Sequence, residues 1–248
     1  MRLQGKVAVV TGGGFGFGEG IVERFIAEGA KVVVADMNEA NGARVADAHA
    51  GAVFQRADVS VSADVAAMVA RAEDEFGGLD ILVNNAGIAQ RNRPMLEVDE
   101  AEFERLYDVN VKSIYLGAVH GVPALKRRGG GVIINTASTA AVRPRPGLTW
   151  YNGTKGAVVT LTRSMAVELA PDAIRVNAIN PVVGETGLTV EFMGGVDTPE
   201  IREKFVSVIP MGRMSTAHDI ASAVLFLASD DAEFITGVCL EVDGGRCV

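Results

Sequence analysis

The chain has 248 residues, 48% hydrophobic and 22% charged, with a formal net charge of −8. That length suits one α/β domain whose core needs no cross-links. The acidic balance argues against nucleic-acid binding, which draws on Lys and Arg to neutralise phosphates. No apolar run is long enough to span a bilayer, so no membrane partner is expected. The two cysteines, Cys239 and Cys247, stand apart from any CxxC motif or histidine cluster. They read as reduced packing residues, with no metal site. The N-terminus MRLQGKVAVVTGG runs straight into a strand pattern without a charged-then-apolar leader, so a cytoplasmic location is expected.

Short apolar runs alternate with longer amphipathic ones. Strands are expected at 6–12, 31–36, 52–59, 80–87, 131–138, 174–181 and 237–245. The first, second, fourth and fifth are nearly continuous apolar runs, the mark of parallel strands buried on both faces. Helices are expected at 20–29, at 63–77, from Asn110 to Lys126, at 156–170 and at 219–229. Gly29, Gly77 and Pro171 stand where three of them should end. Seven strands separated by helices imply a doubly wound parallel seven-stranded sheet with helices on both faces, a Rossmann fold in a single α/β domain. The segment at about 184–210 is the one long insertion, and it reads as a lid.

The first strand ends in TGGGFGFGEG, with Gly12, Gly16 and Gly18 ahead of a helix. Glycines at a strand-to-helix turn let the backbone approach a pyrophosphate, whose charge meets the helix N-terminus. Asp36 ends the second strand, 18 residues after Gly18, where a carboxylate can bind the adenosine ribose hydroxyls and repel a 2′-phosphate. No basic residue nearby would welcome that phosphate: Phe15 sits in the glycine loop, and Met37 and Asn38 follow Asp36. NAD is the expected cofactor.

Tyr151 and Lys155 in TWYNGTKG are four residues apart, so on a helix they share one face. A phenol has a pKa of about 10, and a neighbouring ammonium favours its ionised form. Such a tyrosine can take the hydroxyl proton of an alcohol as hydride leaves the carbon, or return it in the reverse reduction.

TGGGFGFG, NNAG at 84–87, Ser138, Tyr151-x-x-x-Lys155 and NP at 180–181 together resemble the short-chain dehydrogenase/reductase family, over essentially the whole chain. The resemblance implies a catalytic set of Asn110, Ser138, Tyr151 and Lys155. It implies cofactor contacts from Gly12, Phe15, Gly16, Phe17 and Asp36, from Asp58 and Val59 at the adenine, and from Asn85, Ala86 and Gly87 beneath the cofactor. Tyr151, Lys155, Pro181, Val183 and Thr186 complete that set. Where the family usually reads NPG, this chain reads NPV, with Val182 in the glycine position. The family also implies a homotetramer, built on helices at 99–127 and 150–170 and on the last strand. Arg246 or Cys247 is then placed to reach the pocket of a neighbouring subunit.

Two loops should border the substrate, 88–94 and 138–150. They carry Arg91, Arg93, Arg143 and Arg145, unexpected wealth in arginine for so acidic a chain. Arginine clamps planar anions through paired hydrogen bonds. Arg91, Arg143 and Arg145, with Trp150 as a wall, are therefore the substrate candidates, for an alcohol or carbonyl compound carrying a carboxylate or sulfonate. RNRP, VRPRPGLTWYNGTK, NPVVGETGL and EFMGGVDTP are similar to a subgroup of the family that oxidises benzylic alcohols bearing an aryl sulfonate. Sugar dehydrogenases and 3-oxoacyl thioester reductases of the same family are the alternatives. A non-catalytic NAD-binding regulator is the alternative of a different class, and it would be expected to lack Ser138, Tyr151 or Lys155.

Overall fold

The structure, a computed structural model, describes residues 1–248. Seven strands run Val7–Thr11 (β1), Lys31–Asp36 (β2), Ala52–Arg56 (β3), Ile81–Asn84 (β4), Gly131–Thr136 (β5), Ile174–Pro181 (β6) and Cys239–Val242 (β7). They form one parallel sheet in the order β3-β2-β1-β4-β5-β6-β7. The order reverses direction between β1 and β4, which opens a crevice at the carboxyl ends of those strands. This is the expected doubly wound Rossmann sheet.

Alternate side chains of β1 feed two cores. Ala8 and Val10 face Ile21, Phe25, Val224 and Leu225 of helices Gly16–Ala27 (α1) and Ala217–Ala228 (α9). Val7 and Val9 face Val65, Met68, Leu116 and Leu125. Those side chains come from Ser62–Phe76 (α3) and from Ser113–Arg127 (α5), the latter preceded by Glu100–Tyr107 (α4). Every residue of β1 and β4 is buried, as their continuous apolar sequence requires. Gly77 ends α3 in the left-handed conformation at φ 82°, where a β-carbon would be strained.

The elements differ from expectation mainly at their ends. Helix α1 begins at Gly16 rather than at residue 20, because the last glycines of the loop already belong to its first turn. Glu39–Asp47 (α2) was not foreseen, since EANGARVAD has little apolar character. It is started by Asn38, whose side chain accepts from Asn41 N, and it can lie against β3 because a β-carbon on Gly42 would come within 2.2 Å of Phe54. Helix Thr149–Leu169 (α6) starts seven residues earlier than 156, so Tyr151 and Lys155 lie in its first two turns. Between α4 and α5 the chain makes one π-helical turn, Asp108–Lys112, centred on Asn110. Beyond β6, the long insertion carries two short helices, Thr189–Phe192 (α7) and Pro199–Val206 (α8). No helix is long and apolar enough to cross a membrane.

Candidate active site

At the switch between β1 and β4, Thr11 is the hub. Its hydroxyl donates to Val83 O (3.2 Å) and accepts from Asn85 N (2.9 Å) and Ala86 N (3.0 Å). Asn85 Nδ2 reaches back to Thr11 O at 2.9 Å. The glycine loop is thereby bolted to the NNAG loop. Gly12 and Gly16 adopt φ of 63° and 60°, and a β-carbon on Gly18 would stand 1.9 Å from Gly12 O. Only hydrogen at these positions leaves room for the turn and for a close approach of phosphate to the α1 N-terminus. The residues present therefore fit a dinucleotide.

Asp36 emerges beside this loop, its Oδ2 accepting from Gly14 N at 2.9 Å and its Oδ1 from Asn38 N at 2.8 Å. Asp58 accepts from both the backbone and the hydroxyl of Ser60, which with that hydroxyl as the main cause holds its carboxyl below the usual range. Val59 beside it is buried.

A cavity of about 260 Å³ runs from the glycine loop past Tyr151 to the insertion. Gly12, Phe15, Gly16, Phe17, Asn85, Ala86, Gly87, Ser138, Tyr151, Lys155, Pro181, Val183 and Thr186 all line it. Asp36, Asp58 and Val59 stand outside this cavity, towards the edge strands β2 and β3.

Tyr151 and Lys155 are both buried, at 5% exposure each. Burial pushes the Tyr151 phenol up to about 12, opposed by a hydrogen bond with Ser138. The Lys155 ammonium is pushed down to about 8 by the same loss of solvent, with Nζ donating to Thr136 O at 2.8 Å and standing 5.8 Å from the Tyr151 ring centre. Desolvation thus outweighs the distant cation, so the expected acidity of Tyr151 requires the positive ring of NAD⁺ as well as Lys155. Ser138 sits at the start of a 3₁₀ turn, its Oγ accepting from Ala140 N at 3.1 Å. Asn110, in the π-turn, accepts from Ile88 N (2.9 Å) and donates to Ile88 O (3.0 Å) and Thr154 Oγ1 (3.2 Å). Its side chain thus clamps the chain just past Gly87.

The chain matches the family model described as enoyl-(acyl carrier protein) reductase over residues 13–246. It is 51% identical to the 4-formylbenzenesulfonate dehydrogenase TsaC1/TsaC2 of Comamonas testosteroni, with 99% of each chain covered. The chain belongs to the short-chain dehydrogenase/reductase family. A 2-(S)-hydroxypropyl-CoM dehydrogenase of Xanthobacter autotrophicus is 38% identical, covering 98% of this chain and 97% of that protein. The crystal structure of a 3-ketoacyl-(acyl-carrier-protein) reductase from Brucella melitensis complexed with NADH superposes with a TM-score of 0.94. It is 48% identical and covers 99% of this chain and 100% of that one. The chain is accordingly an oxidoreductase of this family with NAD(H) as its cofactor.

Within this short-chain dehydrogenase the four substrate candidates separate. Arg143 and Arg145 line the cavity. Arg91 does not; it pairs with Glu191 at 3.4 Å on the outside of the insertion. Trp150 also points away, its Nε1 donating to Met95 O (3.0 Å) and its ring set edge-on to Phe103 at 5.4 Å. The aromatic wall is instead Phe192 of α7, 5.2 Å from the Tyr151 ring, which the sequence reading missed. Arg246 lines the cavity of its own chain: its carbonyl accepts from Arg143 Nη1, and its Nη1 is buried without a partner. Val182, in the usual glycine position, takes an ordinary negative φ and lines the cavity, so no glycine is required there. Thr11 and Phe192 lie within TGGGFGFG and EFMGGVDTP, but their roles carried no sequence signal, because each acts through a fold-dependent neighbour.

Proposed function

We propose that this dehydrogenase interconverts a secondary or benzylic alcohol and its carbonyl form, the substrate carrying a carboxylate or sulfonate remote from the reacting carbon. The observation that supports it most directly is the charge of the cavity wall. Arg143, Arg145 and Arg246 all line it, none is in an ion pair with an Asp or Glu, and no carboxylate lines the cavity. Arg145 is held below its usual value by burial first and by the charge of Arg246 second, so the cations are crowded and poorly solvated. An anion would relieve that repulsion, and guanidinium groups suit its planar or trigonal oxygens. Leu148 and Phe192 offer the apolar surface an aryl ring needs. The 4-formylbenzenesulfonate named for the relative from Comamonas favours the same class.

In this reading Ser138 and Tyr151 hold the substrate oxygen, and Tyr151 takes its proton in oxidation or returns it in reduction. Bound NAD⁺ supplies the hydride acceptor and a positive ring charge. Lys155, largely protonated at neutral pH with a value of about 8, adds the second positive charge, and both oppose the desolvation that holds the phenol at about 12. Asn110 positions the Ile88 segment that floors the site. Gly12, Phe15, Gly16 and Phe17 cradle the pyrophosphate, Asn85, Ala86 and Gly87 lie beneath the cofactor, and Pro181, Val183 and Thr186 border the nicotinamide, with Asp36, Asp58 and Val59 at the adenosine half. Residues 184–210 act as a lid, with Arg145 stacked 4.2 Å over Phe205 of α8 as its contact with the arginine loop. The enzyme works as a cytoplasmic homotetramer; the exposed Tyr115, Val119 and Val167 on the helices at 99–127 and 150–170 support that assembly.

The test follows NADH absorbance at 340 nm with benzyl alcohols bearing para sulfonate, para carboxylate or no charge. Sugars and 3-hydroxyacyl thioesters run beside them. Turnover of the charged aryl alcohols is expected, with KM about 10-fold or more below that of the uncharged one. Turnover confined to sugars or thioesters would keep the dehydrogenase and remove the anionic substrate.

A further inference from the structure

Gln90 is completely buried, yet no role in the chemistry attaches to it so far. It lies six residues past Asn84, in the loop that leaves β4 under the nicotinamide site. Its Oε1 accepts from Trp150 N and Tyr151 N, both at 3.2 Å, and its Nε2 donates to Gly147 O at 2.9 Å. The opposite amide orientation would set an NH₂ group against two N–H donors, so the hydrogen-bonding pattern defines this one.

These partners are the ends of two functional segments. Helix α6 opens after Leu148 with no local side-chain cap, so its first N–H groups have no intrahelical partner. Gln90, 60 residues upstream, takes the place of the missing cap at the second and third helical positions. The third of these is Tyr151 itself. Gly147 belongs to the loop that carries Arg143 and Arg145, and its φ of 77° marks a sharp turn there. The loop is further stitched to this segment by Asn92 Nδ2 donating to Pro146 O (3.0 Å) and Arg93 N donating to Gly147 O (3.1 Å).

We infer that Gln90 is a positioning residue that locks the backbone of the catalytic tyrosine and the arginine loop to the floor of the nicotinamide site. One rigid amide measures the distance between three elements that the reaction needs in register: the loop after β4, the first turn of α6 and the turn at Gly147. An error of about 1 Å in such a register can lower turnover by about 100-fold. A hydrophobic residue of the same length would fill the space but leave two buried N–H groups unpaired and remove one of the two hydrogen bonds that Gly147 O accepts.

The two ends of the amide can be tested apart. Gln90→Met removes both. Gln90→Glu keeps the acceptor for α6, where the helix N-terminus favours an ionised carboxylate, and sets its second oxygen against Gly147 O. The probes are benzaldehyde and 4-formylbenzenesulfonate, each reduced with NADH. Q90M is expected to lower kcat for both aldehydes about 10-fold or more. Q90E should hold kcat within about 2-fold of wild type and raise KM about 10-fold for the sulfonate only. Trp150, the single tryptophan, offers a readout free of substrate. Its fluorescence anisotropy should fall in Q90M and return to the wild-type value in Q90E.

A Q90M enzyme of lower melting temperature but unchanged kcat, KM and anisotropy would reduce Gln90 to packing and overturn the inference. An unchanged KM for the sulfonate in Q90E would remove the tether to the arginine loop. That KM comparison rests on the anionic-substrate reading, whereas the benzaldehyde kcat and the Trp150 signal do not. If wild type shows no preference for the sulfonate, the anionic reading alone fails. If Q90M does not fold, the anisotropy and kcat of Q90E decide: a wild-type value of each is expected, and a loss of both contradicts the cap.

Discussion

Lys155 Nζ stands 5.8 Å from the centre of the Tyr151 ring and donates to the carbonyl of Thr136 at 2.8 Å, so it faces the strand β5 end rather than resting on the phenol. The two groups share one helix face but act on each other across a gap. Burial therefore decides both of their titrations when no cofactor charge is present: the phenol is raised to about 12 and the ammonium lowered to about 8.

A pH dependence of stability follows for the unliganded protein. Lys155 binds its proton less readily folded than unfolded, where its value is 10.5. Its neutral form is thus compatible with folding, and the stability it contributes is present above pH 10.5 and lost as pH falls through 8. Relative to a Lys155→Met variant, wild type should gain stability between pH 8 and pH 10, on the order of 2–3 kcal/mol in full. Tyr151 acts with the opposite sign, its contribution being present below pH 10 and lost towards pH 12. Urea unfolding of both proteins across pH 7 to 10 measures the difference, and parallel curves would contradict it.

NAD⁺ should move the Tyr151 phenol downwards, because a cation then lies in the same desolvated site. Phenolate absorbance near 295 nm, taken as wild type minus Tyr151→Phe, is expected to rise at a lower pH with NAD⁺ than without it. In Lys155→Met the acid limb of kcat/KM for alcohol oxidation should shift to higher pH and kcat should drop about 100-fold or more. An unmoved limb in that variant would show that the ammonium does not assist ionisation.

Asp36 uses both carboxylate oxygens on backbone N–H groups of Gly14 and Asn38. Asp36→Ala leaves those donors to solvent and removes the charge that repels a 2′-phosphate. The KM for NAD⁺ should rise about 10-fold and the preference for NAD⁺ over NADP⁺ should shrink by about 100-fold or more. Steady-state kinetics with the two cofactors reads both numbers. A preference that survives the substitution would assign the selectivity to another residue.

Beneath the site runs a buried polar chain: Asn84 Nδ2 donates to Asn135 Oδ1, and Asn135 Nδ2 donates to Thr162 Oγ1, both at 2.9 Å. It joins β4, β5 and α6 where no water competes. Asn135→Ala strands the Asn84 amide, leaves the Thr162 hydroxyl only its bond to Val158 O, and should lower stability by about 1–3 kcal/mol. Double-mutant cycles with Thr162→Val in urea unfolding should show coupling of about 0.5 kcal/mol or more, since the residues share one bond. Additive effects would show that the chain is not coupled.

The alternation of apolar runs, the glycines at Gly12, Gly16 and Gly18, and the i,i+4 spacing of Tyr151 and Lys155 were legible in the sequence, because each is a local consequence of strand burial, backbone sterics or helix pitch. Those features suffice for the parallel sheet, its crevice and the chemistry of a dehydrogenase. Local pattern could not locate α2, which is polar and held by Asn38 and Phe54 rather than by its own periodicity. Nor could it sort the arginines. Arg91 and Arg143 look alike in sequence, and only folding brings Glu191 beside the first and the backbone carbonyl of Arg246 beside the second. Gln90 and Phe192 were silent for the same reason: a contact made across about 40 to 60 residues leaves no periodic trace. The burial that sets Tyr151 near 12 and Lys155 near 8 also belongs to tertiary structure alone, because desolvation depends on everything packed around a group and not on the residues beside it in the chain.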